Sequence, residues 1–221
     1  MAWFRRKPKD PPATREFTDL LFGDLPASAW IGDATSEPWT LFVEANDCLA
    51  RDDVRGAADA LSRITQMARL ESRHYLQAWH GLRALNQPPP LDVAKHVLGV
   101  VIEVTVSYGV DVLAAYEDHT ARYLNAHGGG VIWERPNSTL DQSIDHLLAA
   151  GRAIVTRIGV WTGARRGPPP VDHVRVTLLT PSGPHFGEGP LKILERDPLA
   201  GPAVAAGVGL VQHLTQLVSA G

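Results

Sequence analysis

The chain has 221 residues, 44% of them hydrophobic and 20% charged, with a formal net charge of −3. That composition supports a sizeable core and excludes a disordered chain, and the balance of charge gives no overall attraction to nucleic acid. One cysteine, Cys48, rules out an internal disulfide framework, and no apolar run reaches transmembrane length.

The first dozen residues, MAWFRRKPKDPP, are basic and proline-rich and lack the apolar stretch of a signal peptide. Residues 1–13 are therefore expected to form a flexible basic tail on a cytoplasmic protein. Residues 14–87 have helical periodicity. A short helix is expected near Phe17 to Phe22. Ser36 stands as an N-cap before Glu37-Pro38, and Leu41, Ala45, Cys48 and Leu49 recur on one helical face. Asp52 or Asp53 caps a second helix with Val54, Ala57, Ala58, Leu61 and Ile64 as its stripe. A third carries Tyr75, Leu76, Trp79 and Leu82. Short links make consecutive helices antiparallel. Trp39 at the start, small Ala57 and Ala58 at a close approach and the closing prolines resemble a tetratricopeptide hairpin. The glycine and tyrosine of that pattern are absent and no second copy follows. A three-helix unit without repeats is the expectation.

Asn86 to Pro90 (NQPPP) breaks the helical pattern and marks the boundary of a second unit, 88–221. Val97 to Val106 is almost continuously β-branched or apolar, with Glu103 its lone charge, as in a strand buried on both faces. Val112 to Tyr116, Ala121 to Asn125 and Val131 to Glu134 follow at hairpin spacing, giving a four-stranded antiparallel meander. Ser138 and Asp141 have the spacing of a capping box ahead of a helix lined by Leu140, Ile144, Leu147, Leu148, Ile154, Val155 and Ile158. Val174 to Thr180 and the glycine-rich Ser182 to Pro190 read as a strand and its return. Pro202 to Val218 reads as a last helix whose alanines and glycines permit close packing. The fold class is α+β: an N-terminal antiparallel helical unit, then an antiparallel β-meander sheet covered by two helices.

No motif completes a catalytic constellation. His127-Gly128-Gly129-Gly130 matches the oxyanion-hole segment of some α/β-hydrolases, but no G-x-S-x-G nucleophile elbow accompanies it, so the glycines are read as a hairpin turn. Glu71 and His74 share a helical face without the second E-x-x-H that a di-iron bundle requires, and a solvated face is expected there. Gly187-Glu188-Gly189-Pro190-Leu191-Lys192 lacks the phosphate-loop pattern. Cys48 reads as a small buried hydrophobe. No metal and no cofactor is expected.

The leading expectation is a non-enzymatic protein-interaction or adaptor protein, with a protein partner and no nucleic acid. Its candidate contact surface comprises Trp30, Phe42, Arg165 and Arg166, because aromatic and arginine side chains anchor interfaces. The alternative is a small-molecule sensor or enzyme whose polar site joins Asp118, His119, His127, His185 and Glu188 from loops of the sheet. A third reading is a self-associating structural component, a homo-oligomer held through the last helix or a sheet edge.

Overall fold

The computed structural model describes residues 18–26, 29 and 35–219. The basic tail and Trp30 lie outside them. Of the short helix expected first, Thr18 and Asp19 are helical and Phe17 is outside the described residues.

Three helices follow: α1 (Trp39–Ala50), α2 (Val54–Gln66) and α3 (Ser72–Ala84). Asp53 is the N-cap of α2, and its carboxylate accepts the Gly56 N–H at 2.8 Å. Ser36 does not cap α1. Pro38 occupies that position without a side-chain bond, and the Ser36 backbone carbonyl accepts the Thr40 N–H at 3.1 Å instead. Leu41, Phe42, Ala45, Ala60, Leu61, Ile64, Ala78 and Leu82 interlock as the core of this unit, with Cys48 buried nearby. Phe42 is 1% exposed, so it belongs to packing and offers no contact surface.

The sheet contains β1 (Gly99–Val106), β2 (Gly109–Tyr116), β3 (Ala121–Leu124), β4 (Gly130–Trp133), β5 (His173–Thr180) and β6 (Gly183–Pro190), all antiparallel in the order β4-β3-β2-β1-β5-β6. The four-stranded meander is present. Strand β5 pairs with β1 rather than β4, which places the most apolar strand near the centre of the sheet and leaves it no open edge.

On one face lie α4 (Asp141–Val155) and α6 (Gly201–Ser219), with the short α5 (Leu191–Leu194) beside β6. Val100, Ile102, Leu113, Ala115, Val174, Val176 and Leu178 meet Ile144, Leu147, Leu148, Ala203, Leu210 and Leu214 there. The start of α4 departs from the expected capping box. Leu140 is its N-cap without a side-chain bond, and the Asp141 carboxylate binds Arg135 at 2.8 and 3.1 Å.

The opposite face is covered as well, by the helical unit. Leu21, Phe22 and Leu76 pack on Leu98, Val101, Val112, Ala114, Tyr116 and Leu179. Trp79 on α3 touches both this layer and the helical core. Tyr116 donates its hydroxyl to the Leu21 carbonyl at 2.6 Å, which pins the segment ahead of α1 to the sheet. Among the described residues, no helix is long and apolar enough to cross a membrane.

Candidate anion-binding cleft

Strands β1, β5 and β6 each carry one charged residue on the face toward the helical unit. The register sets Glu103 opposite Arg175 and Arg175 opposite Glu188, a row of three charges across three strands. Arg175 is 4% exposed and Glu103 6%. Buried charges persist only when paired. Arg175 bonds Glu188 Oε2 through Nε at 2.8 Å and Nη2 at 2.5 Å, and Glu103 Oε2 through Nη1 at 3.3 Å. Burial raises the Glu103 carboxyl above its ordinary 4.5, against the lowering pull of Arg175 and Arg165.

After α4 the chain turns round the β6 edge, where the Trp161 N–H donates to the Pro184 carbonyl at 2.7 Å, and then continues as an irregular strap to β5. The strap carries Arg165 and Arg166. Arg165 reaches Asp19 at 2.6 Å and Asp24 at 3.0 Å and lies 4.4 Å over the Phe22 ring. Burial works against its charge, yet the two aspartates outweigh it and the net direction is upward. Arg166 is exposed and sits 4.8 Å from the Trp161 ring and 5.4 Å from Phe186, two rings in an edge-on pair at 5.3 Å. Arg83 on α3 donates to the Pro181 carbonyl at 2.6 Å, and burial lowers its pKa against the pull of Asp24.

These side chains enclose a cleft of about 40 Å³ lined by Phe22, Leu76, Trp161, Phe186, four guanidinium groups and the acidic residues Asp24 and Glu103. Its pairing is unequal. Arg165 and Arg175 each hold two carboxylates, whereas among the described residues Arg83 and Arg166 form no ion pair. Asp24 acts on Arg83 through space without bonding it, and Arg166 stands beside the aromatic walls with no carboxylate bonded to it among the described residues. Guanidinium is suited to bidentate contact with carboxylate or phosphate.

The five polar residues expected to converge do not. Asp118 and His119 lie in the β2–β3 turn. Asp118 bonds the backbone of Ser72, and His119 Nε2 is 3.0 Å from Asp145 on α4. His127 sits in the β3–β4 turn near the opposite end of the sheet, 4.5 Å from the Tyr108 ring. His127 and Gly129 both give their N–H groups to Asn125 Oδ1, at 3.0 Å each, so these donors stabilise a turn and cannot form an oxyanion hole. His185 on β6 is 1% exposed, with Nδ1 3.3 Å from the Ile158 carbonyl. It pairs opposite Leu178, on the face away from Glu188, and β6 is three strand spacings, roughly 14 Å, from β2. Of the five, only Glu188 adjoins the cleft.

His74 is also unlike its expectation. It is 7% exposed and lies edge-on to Trp39 at 4.9 Å, not on a solvated face. The segment Gly187 to Pro190 is extended strand, so its amides do not converge on a phosphate. Among the described residues, no group of three His, Cys, Asp or Glu side chains is placed to hold a metal ion.

Arg83, Glu103, Arg175, Trp161 and Phe186 were not among the expected site residues. The available signal was a single charge within each of the apolar strands β1 and β5, since a charge buried in a sheet requires a partner on the neighbouring strand. No family model matches the sequence, and neither curated proteins nor solved structures give a match.

Proposed function

We propose that this is a non-enzymatic interaction protein that receives an acidic group of a partner protein in the cleft between α3, the strap and β6. The observation that carries this reading is the unequal pairing: among the described residues Arg83 and Arg166 form no ion pair, while their two neighbours hold two carboxylates each. Arg166 is exposed, so a ligand reaches it without prior opening of the fold.

Size supports a side chain over a metabolite. The cavity of about 40 Å³ accommodates the space of roughly three waters, far below the roughly 300–1,000 Å³ of sites that enclose a small molecule. An Asp or Glu side chain, or a chain terminus, matches that volume. Charge draws such a group in, and Trp161 and Phe186 exclude water around the contact.

The test is fluorescence anisotropy with a fluorescein-labelled peptide carrying one aspartate. Arg166→Ala is expected to weaken binding at least about tenfold, the loss of one charged contact. Replacing the peptide's aspartate with asparagine is expected to do the same, and added salt to weaken binding further. Equal affinity for the aspartate and asparagine peptides would overturn the proposal.

A further inference from the structure

Strand β6 is one edge of the sheet, and its backbone alternation can be read from a single bond. The Pro184 carbonyl points away from β5, because it accepts the Trp161 N–H. In an antiparallel pair successive residues alternate between facing the partner and facing away. Phe186 and Glu188 therefore also point their N–H and C=O groups outward. No backbone bond outside the β5–β6 ladder engages those two residues among the described ones. Gly187 between them has open space where a side chain would be. Pro184 and Pro190 bound the stretch, which limits the open edge to these two residues.

That edge adjoins the cleft. Residues opposite each other on neighbouring strands project side chains to the same face. An incoming residue opposite Phe186 would thus place its side chain beside Arg166, which lies 5.4 Å from the Phe186 ring. A residue opposite Glu188 would meet a carboxylate already bonded to Arg175. The two positions ask for opposite charges.

From this we infer that the partner binds as an extended strand, antiparallel to β6, with an acidic residue opposite Phe186 and a basic one two positions away opposite Glu188. The inference rests on the acidic-group reading above and specifies the form of the partner. Main-chain bonds to Phe186 and Glu188 supply affinity, and the acidic and basic pair supplies register.

The probe is an acetylated, fluorescein-labelled heptapeptide, TVKVDVT, in which the third residue is lysine and the fifth aspartate. Antiparallel pairing sets the aspartate opposite Phe186 and the lysine opposite Glu188. N-methylation of the third or fifth residue removes a donor aimed at β6, whereas N-methylation of the fourth or sixth leaves those donors intact. The expected result is a loss of affinity of at least about tenfold for the third and fifth and less than about twofold for the fourth and sixth. Hydrogen exchange at the Phe186 and Glu188 amides slows on binding. Should the aspartate and Arg166 matter while N-methylation acts equally at all four positions, the cleft reading stands and strand addition is overturned. A complete absence of binding at millimolar peptide would overturn both.

Discussion

Ser72 and Asp118 cap one another across 46 residues of sequence: the Ser72 N–H donates to Asp118 Oδ2 at 2.6 Å, and the Asp118 N–H donates to Ser72 Oγ at 3.2 Å. Ser72 is the first residue of α3, so a carboxylate from the sheet satisfies one of the free amides of a helix. The other carboxylate oxygen holds the turn through the Thr120 N–H at 2.9 Å and hydroxyl at 2.7 Å. Asp118 is thereby a clamp between α3 and the β2–β3 hairpin. Asp118→Ala is expected to lower stability by about 1–2 kcal/mol, the scale of losing a helix cap. Urea denaturation measures this. Peptide binding at the distant cleft should stay unchanged in the variant, and a fall in affinity without a fall in stability would contradict a clamping role.

Three helical glycines make a ranked stability prediction. A Cβ on Gly209 would meet nothing within 4 Å, so Gly209→Ala is expected to gain about 0.5–1 kcal/mol from helix propensity alone. On Gly207 the new Cβ would stand 2.5 Å from Ile102 Cδ1, the far end of a side chain that can turn aside. On Gly151 it would meet Val100 Cγ2 at 2.9 Å and Leu178 Cδ1 at 3.0 Å together. Valine is held by its branched Cβ and cannot yield easily. Gly207→Ala should therefore cost about 1 kcal/mol and Gly151→Ala about 2–3 kcal/mol, within the range for overpacking. Thermal melts of the three variants should place Gly209→Ala above the parent and Gly151→Ala lowest.

Two buried groups give stability opposite pH dependences. Burial lowers the His185 pKa below its ordinary 6.5, against the raising effect of the Ile158 carbonyl, so the folded chain favours neutral imidazole. Its contribution is complete above pH 6.5 and is lost as pH falls through the depressed value. Burial raises Glu103, so its contribution is complete below pH 4.5 and is lost as pH rises through the elevated value. Relative to the parent, His185→Gln should gain stability as pH is lowered from 7, and Glu103→Gln should gain it as pH is raised from 4. Urea midpoints of both variants and the parent at unit pH intervals check the two signs. Parallel curves would show that neither proton is linked to folding.

Elements governed by local pattern were legible in the sequence, and the cleft was not. The β-branched run containing Val100, Val101, Ile102 and Val104 announces a doubly buried strand, and the pair Asp52-Asp53 announces the start of α2. Short spacers, polar in Glu117 to Thr120 and glycine-rich in Ala126 to Gly130, locate the hairpins. The cleft depends instead on which strands become neighbours. Glu103, Arg175 and Glu188 meet because β5 inserts beside β1, and Arg83 and Arg165 join them because the helical unit and the strap cover that face. A meander alone would leave β1 at an edge with its apolar side chains and amides unmatched, and the insertion of β5 removes that cost. This is a long-range choice that no window of periodicity records. Phe42 illustrates the same limit: helical spacing assigns it a face but cannot say that α2 and α3 enclose it.

Arg175 provides the sharpest test of how the cleft is held. The guanidinium is almost fully buried, and its two carboxylate partners differ: the Glu103 side chain is 8% exposed and the Glu188 side chain 20%. Arg175→Met preserves much of the side chain's length but leaves Glu103 buried beside no cation of its own. Stranding one member of a buried pair costs about 3–5 kcal/mol, whereas replacing all members by neutral groups of similar volume is often close to neutral. Arg175→Met is therefore expected to lose about 3 kcal/mol or more in urea denaturation. Adding Glu103→Gln to it should restore the larger part, because the remaining carboxylate, Glu188, has solvent to turn toward. If the double variant proved less stable than Arg175→Met, the stranded Glu103 charge would not be the source of the loss. Arg175 would then act chiefly through its contacts with the Phe186 ring, 5.5 Å away, and the Arg166 carbonyl at 3.4 Å.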